Sequence, residues 1–303
     1  MGKKIAVTGA TSMIGAALID AAAGAGAEVY AIIRADSKRK DRLVRSPLVH
    51  VIQCPIDTLE DIEGLPENLD AFYHFAWIGT GRTTRDDPMI QSQNIRYTLD
   101  AVALANRVGC KRFIGAGSQA EYGRVEGIIS DTTPVNPTMA YGMAKLAAGL
   151  LSRKLCQQLG MQHIWARIFS VYGINDNDGT MINYAIDQFT KGDIARFSAA
   201  TQMWNYLFEA DAGMMFYLLG CRDVESGVYC VANPESRVLK CYIEEMRNAY
   251  GADARCAYES EAVGGIGLEV DMDKTIRAIG YVPTVSFEEG IRKVISHRKA
   301  MVL

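Results

Sequence analysis

Tyr141 and Lys145 stand four residues apart in AYGMAKLA, a spacing that places both on one face of a helix. An ammonium beside the phenol would lower its pKa and make Tyr141 a usable general acid or base near neutrality. A chain with 14 tyrosines can produce such a pair by chance, so its neighbours matter. Upstream, in FIGAGSQAEYG, an apolar strand pattern runs into a loop carrying Ser118. Its hydroxyl could hold a carbonyl or hydroxyl oxygen while Tyr141 exchanges its proton. An ordinary turn serine would read the same way.

Chemistry of that kind needs a hydride carrier, and the stretch TGATSMIG at residues 8–15 offers a place for one. It joins a short apolar strand to a helical pattern, the context a dinucleotide phosphate loop requires. Gly9 would make the tight turn, backbone N–H groups at the helix start would face a pyrophosphate, and Gly15 would let the helix pack close. Ser12 occupies a position where glycine is expected. It fits if its φ is negative and its side chain points away or donates to a phosphate. Taken alone, the stretch could equally be an ordinary turn between strand and helix.

The second strand decides between the two nicotinamide cofactors, since an acid at its end binds the ribose hydroxyls and a base accommodates a 2′-phosphate. Here EVYAIIRADSKRKDRL puts Ile33 and Arg34 at the strand end, followed by Ser37, Lys38, Arg39 and Lys40. Arg34 suits bidentate phosphate binding. NADP(H) is therefore favoured and NAD(H) possible, with a merely solvated basic loop as the alternative.

These residues must be carried by regular elements, and the apolar periodicity supplies them. Strands are expected at Lys4–Thr8, Glu28–Ile33, His50–Cys54, Ala71–Phe75, Arg112–Ala116 and His163–Ile168. Helical patterns near Met13–Ala25, Gln91–Val108 and Met139–Leu159 separate them, which argues for a parallel sheet covered on both faces. Past Gly173 the regularity weakens, with helices near Thr180–Thr190, Glu209–Leu219, Leu239–Ala249 and Phe287–His297. The expected fold is an α/β, Rossmann-type doubly wound parallel sheet over residues 1–172, some later chain returning to it. Residues 173–303 form a smaller C-terminal substrate lobe.

Composition narrows the class. The 303 residues are 49% hydrophobic and 22% charged with a formal charge of −3, which argues against nucleic acid as a partner. Seven scattered cysteines form no CxxC pair, so reduced thiols in a cytoplasmic protein are expected and no metal site. No uncharged apolar run reaches the ~18 residues of a membrane span.

With these motifs assembled, the chain resembles an extended short-chain dehydrogenase/reductase of the NAD-dependent epimerase/dehydratase type. The resemblance covers nearly the whole chain and rests on TGATSMIG, YHFAW (73–77), Asn94 in QNIRYT, GSQAEYG (117–123), YGMAK (141–145), ARIFSVYG (166–173) and residues 270–291. It implies Ser118, Tyr141 and Lys145 as the catalytic set, with Lys145 also on the nicotinamide ribose. It implies a cofactor lined by Gly9, Thr11, Ser12, Met13, Ile14 and Gly15, by Arg34 and Lys38, by Ile56 and Asp57, and by Phe75, Ala76 and Ile168. Asn94 would be an architectural helix residue, and SFEEGIRKV the closing helix.

Departures from the family pattern bear on the reaction. Family dehydratases carry an Asp-Glu pair just after the catalytic hydroxyl residue, whereas Gln119 and Ala120 follow here and Glu121 falls one position late. Elimination of water is thus disfavoured. Arg34 tilts the expectation towards reduction of a keto-sugar nucleotide, with an epimerase holding NAD as the alternative. A cofactor-binding scaffold, or a reductase of a simpler carbonyl, is further removed. The substrate contacts are less conventional: Ser170 stands where the family has asparagine, and Trp204 where it has an arginine. Arg82 and Arg85 could replace that charge, Trp77 could shape the sugar pocket with Gln119, and Trp204 could stack on a base or simply pack the lobe. A nucleoside-diphosphate sugar is the expected substrate. A homodimer built on the Gln91–Val108 and Met139–Leu159 helices is the family expectation.

Overall fold

A computed structural model describes residues 2–260 and 267–302. Seven strands form one parallel sheet: β1 Lys4–Thr8, β2 Glu28–Ile33, β3 Val49–Gln53, β4 Ala71–His74, β5 Arg112–Ser118, β6 Gln162–Ile168 and β7 Gly227–Val231. Their order is β3-β2-β1-β4-β5-β6-β7, every adjacent pair parallel. The order reverses between β1 and β4, and crevices for ligands open at the carboxyl ends of strands flanking such a switch. The Rossmann-type doubly wound sheet expected from the sequence is the fold observed.

The helices are α1 Met13–Gly24, α2 Pro88–Arg107, α3 Ala140–Gln158, α4 Met181–Lys191, α5 Glu209–Cys221, α6 Leu239–Tyr250, α7 Asp273–Ile279 and α8 Phe287–Val302. One face of the sheet buries Ile5, Val7, Val29 and Ile114 with Leu18 and Ile19 of α1 and Met215 and Phe216 of α5. The other face packs Ala6, Ile32, Phe72 and Phe113 against Ala101 and Val102 of α2 and Cys156 of α3. A separate cluster holds Ile182 and Phe189 of α4, Tyr242 and Ile243 of α6, and Phe287 and Ile291 of α8. Among the described residues, no helix is long and apolar enough to cross a membrane.

Helix starts are fixed locally. Ser12 caps α1, accepting the Gly15 N–H at 3.1 Å. Asp87 caps α2 by accepting from the N–H groups of Met89 and Ile90, with Pro88 in the first turn. α3 has no cap of its own: its first N–H groups, on Ala140 and Tyr141, donate to Asp86 Oδ1 and to the Arg85 carbonyl. The loop between β4 and α2 thereby sets the start of α3.

Several boundaries differ from the sequence reading by a residue or two, and several elements were missed, among them α7 and one strand of the central sheet. β7 is a five-residue apolar run, GVYCV, that rejoins the sheet beside β6 after α5 crosses over. No turn signal marks so short a strand as part of the central sheet rather than of a peripheral pair.

His74 and His163 are buried in the sheet, and burial pushes their pKa values down to about 3 and about 4. Both stay neutral when folded, while the unfolded chain protonates them below about pH 6.5, so they cost stability as pH falls from there towards 4. His163→Asn removes one of them. Its stability deficit, measured by urea denaturation, should shrink by about 1–2 kcal/mol between pH 7 and pH 5. A deficit that stays constant would contradict the assignment.

Candidate active site

Gly9 leaves β1 with φ +65°, and a Cβ there would lie 2.6 Å from the Ala76 backbone nitrogen beyond β4. Only glycine lets the two chain segments pass so closely. Ser12 has φ −70°, and its hydroxyl serves as the helix cap, so its presence in the glycine turn carries no backbone strain. Ser12 takes the Gly15 N–H and its carbonyl takes that of Ala16. Among the described residues, the Met13 and Ile14 N–H groups meet no protein acceptor. Thr11 is held to Ser37 across the mouth of the turn, hydroxyl to hydroxyl at 3.2 Å.

A cavity of about 920 Å³ runs along the carboxyl ends of the strands. One end is apolar, with Ile32, Cys54, Ile56 and Leu59, and the rim there carries Arg34, Lys38 and Arg39. The middle passes the glycine turn, Phe75, Ala76 and Ile168. The other end holds Ser118, Gln119, Tyr141, Lys145, Trp77 and Arg85. An apolar end, a turn with free N–H groups and a polar far end fit an adenine, a pyrophosphate and a nicotinamide in sequence.

At the far end Ser118 closes β5, in register with Ile168 of β6. Its main chain is fixed from below by Glu121, whose carboxylate accepts from the Ser118 N–H at 2.8 Å and from Trp165 Nε1 at 2.9 Å. The second carboxylate oxygen pairs with Arg167 Nε at 2.7 Å, and Glu121 is fully buried. The acid that stood one position late in the sequence is therefore a structural anchor turned away from the cavity.

Lys145 is buried, its Nζ donating to the Ala116 carbonyl at 2.7 Å and lying 3.5 Å from the centre of the Trp77 indole. Burial lowers its pKa to about 7; the charge of Glu121 raises it, and Arg85 lowers it further. Tyr141 differs from the sequence expectation. Its phenol is raised by burial, and the opposing influences are the charge of Arg85 and hydrogen bonding with Ser118. Lys145 Nζ is 5.8 Å from the ring centre, whereas the Arg85 guanidinium lies over the same ring at 4.3 Å. The cation next to the phenol is thus Arg85, with desolvation the larger effect.

Trp77 stands edge-on to Tyr141, with ring centres 6.0 Å apart, and donates Nε1–H to Gln91 at 2.9 Å. Gln91 in turn holds the carbonyls of Gly79 and Thr84, and Asn94 bonds both backbone groups of Ile78. Asn94 and Gln91 therefore shape the loop rather than the sheet. Asp57, Arg82, Ser170 and Trp204 do not line the cavity. Arg82 is exposed at the tip of its loop. Trp204 packs between two hydrophobic clusters, paired with Arg237 in a small antiparallel ribbon. Sequence reasoning missed Asp36, Asn175 and Asn177, which do line it. Asp36 lies 3.7 Å from Arg34 Nε, so a carboxylate shares the rim with the arginine expected to hold a 2′-phosphate. Its presence in RAD could have been weighed. The asparagines sit in a loop with no motif.

A glycine turn against a parallel sheet, with Ser118, Tyr141 and Lys145 at one end of the same crevice, defines the class of short-chain dehydrogenases/reductases. The sequence profile of the NAD dependent epimerase/dehydratase family matches residues 5–232, and the chain belongs to that family of enzymes. UDP-glucuronic acid decarboxylase 1 of Xenopus tropicalis is 24% identical over 97% of this chain and 72% of its own. Among solved structures, UDP-N-acetylglucosamine 4-epimerase of Methanobrevibacter ruminantium, bound to UDP-N-acetylmuramic acid, superposes with a TM-score of 0.87 at 20% identity, covering 99% of both chains. UDP-glucuronic acid 4-epimerase of Bacillus cereus, solved with UDP-glucuronic acid and NAD, gives 0.83 at 21% identity over 98% of this chain and 99% of its own. These likenesses establish the fold.

Glu121→Ala strands Arg167 in the interior and frees the Ser118 main chain. It should cost about 3–5 kcal/mol in chemical denaturation. A loss below about 1 kcal/mol would show that the pair does not anchor the site.

Proposed function

We propose that the chain is a nucleotide-sugar 4-epimerase that works with NAD. The observation that carries this reading is the meeting of Ser118, Tyr141 and Lys145 at one end of a cavity that passes the glycine turn to an apolar far end, as a dinucleotide requires. The expectation of an NADPH-dependent ketoreductase leaned on Arg34. With Asp36 at 3.7 Å, that rim offers a 2′-phosphate a carboxylate as well as a guanidinium, and its preference for the phosphate falls. The neighbouring epimerase structure solved with NAD supports the same choice.

NAD, held along the cavity by the glycine turn, Phe75, Ala76 and Ile168, would supply reversible hydride chemistry at the sugar carbon. Tyr141 takes the proton of the hydroxyl on that carbon and gives it back. Ser118, at the end of β5, hydrogen-bonds the same oxygen and keeps it near the phenol. Burial raises the phenol's pKa, and the charge of Arg85 and the Ser118 hydrogen bond oppose that rise. Lys145 presents its ammonium between the Ala116 carbonyl and the Trp77 ring, where it can reach the ribose next to the nicotinamide. The chain beyond residue 172 would hold the sugar nucleotide over this site.

The test is incubation of the purified protein with UDP-hexoses and UDP-hexuronates, following both the 4-configuration and the nicotinamide absorbance. Isomerisation without net redox is expected, and Tyr141→Phe should slow it about 10²–10⁴-fold. Stoichiometric oxidation of NADPH by a 4-keto sugar nucleotide, with no isomerisation, would overturn the reading in favour of the reductase.

Met143, Leu150 and Leu151 of α3 and Met89 of α2 are exposed apolar side chains, which supports the homodimer expected on these helices. Light scattering should give twice the chain mass, falling to one chain mass for Leu151→Asp. A wild-type monomer would refute it.

A further inference from the structure

At the catalytic end of the cavity Arg85 is a cation with no acidic partner among the described residues. Two carboxylates follow it directly, and both are engaged elsewhere: Asp86 accepts from Ala140 N–H at the start of α3, and Asp87 caps α2. Among the described residues, no carboxylate forms an ion pair with the Arg85 guanidinium. Its backbone is pinned as well, since its N–H donates to the Gly81 carbonyl and its carbonyl accepts from Tyr141 N–H. The guanidinium is therefore held at the catalytic end of the cavity, 4.3 Å from the centre of the Tyr141 ring. The other cations on the cavity wall are differently placed. Arg34, Lys38 and Arg39 lie on the far rim, and Lys145 is occupied by the Ala116 carbonyl and the Trp77 ring.

We propose that Arg85 forms an anion subsite for a carboxylate carried by the sugar itself, so that the preferred substrates are nucleoside-diphosphate hexuronic acids. This rests on the 4-epimerase reading above. A 4-hydroxyl held at Tyr141 has the C5 substituent on the adjacent ring carbon, within reach of a guanidinium stacked on that tyrosine. In a hexuronic acid the substituent is a carboxylate, whose two oxygens match the planar fork of arginine. In a neutral hexose it is a hydroxymethyl group, which leaves the guanidinium without a counter-charge. The substrate's diphosphate is the other anion that could seek Arg85. It is attached at C1, across the ring from the carbon that meets Tyr141, and the geometry favours the carboxylate.

The experiment compares UDP-glucuronate with UDP-glucose, and UDP alone, on the NAD-loaded protein and on Arg85→Gln and Arg85→Lys. The ratio of kcat/KM for the acid to that for the neutral sugar is the readout, because any disturbance of Tyr141 affects both sugars and cancels. Wild type should prefer the acid, and Arg85→Gln should lower the ratio about 10- to 100-fold, as expected for loss of a hydrogen-bonded charge pair. Arg85→Lys should fall between them. A ratio unchanged in Arg85→Gln would overturn the subsite. Equal weakening of both sugars and of UDP itself would reassign Arg85 to the diphosphate. If neither sugar binds the loaded protein, the nucleotide-sugar reading fails and the subsite falls with it.

Discussion

One buried carboxylate holds the floor of the site together. Glu121 joins the end of β5 to β6 through three contacts, taking hydrogen bonds from the Ser118 main chain and the Trp165 indole and pairing with Arg167. A charge in that position is costly to desolvate and persists because both carboxylate oxygens have partners, one of them a guanidinium. The return is positional. The last residue of β5 cannot shift along its strand, so the Ser118 hydroxyl keeps its place relative to the helix that carries Tyr141 and Lys145. Gly117 and Gly149 fit against the same tryptophan, where an added Cβ would come within 2.5 and 2.6 Å of the indole. Small residues, a buried indole and an ion pair together make the platform rigid.

Above that platform the electrostatics are set by exclusion of water. Lys145 is buried and Tyr141 half-buried, and desolvation pushes each towards its neutral form. The groups that resist this are few: the Glu121 charge for the lysine, Arg85 and Ser118 for the phenol. For both groups desolvation is the larger effect. Trp77 ties the two together, its ring face under the ammonium and its plane nearly perpendicular to that of the phenol.

Much of this was legible in the sequence, and the reasons divide cleanly. Gly9, Ser118, Tyr141 and Lys145 were readable because each is tied to a local pattern: a strand running into a turn, or a spacing on one helical face. Six of the seven sheet strands announced themselves through runs of Val, Ile and aromatic residues. β7 did not, because a five-residue apolar run says nothing about which sheet it joins. The true neighbour of the Tyr141 ring was equally hidden. Helical spacing pointed to Lys145, yet the stacked cation comes from a loop more than fifty residues earlier, brought there by caps that no periodicity encodes. Asp36 was in plain view, but its effect depends on a loop turning it back towards Arg34. Trp204 read equally as a base-stacking residue or as lobe packing, and the fold sets it between two clusters, as the second reading has it.

The successive carboxylates of Asp86 and Asp87 cap different helices, α3 and α2, from adjacent positions on one short segment. The segment behaves as a caliper whose jaws are two helix ends. Its span is fixed at the level of a single peptide unit, so an inserted or deleted residue would release one jaw. The side chain at position 85 has no share in that grip. Chemical selectivity and mechanical fit are thus written on neighbouring residues yet are separable: evolution or design can exchange the head group at 85 while the caliper keeps its gauge.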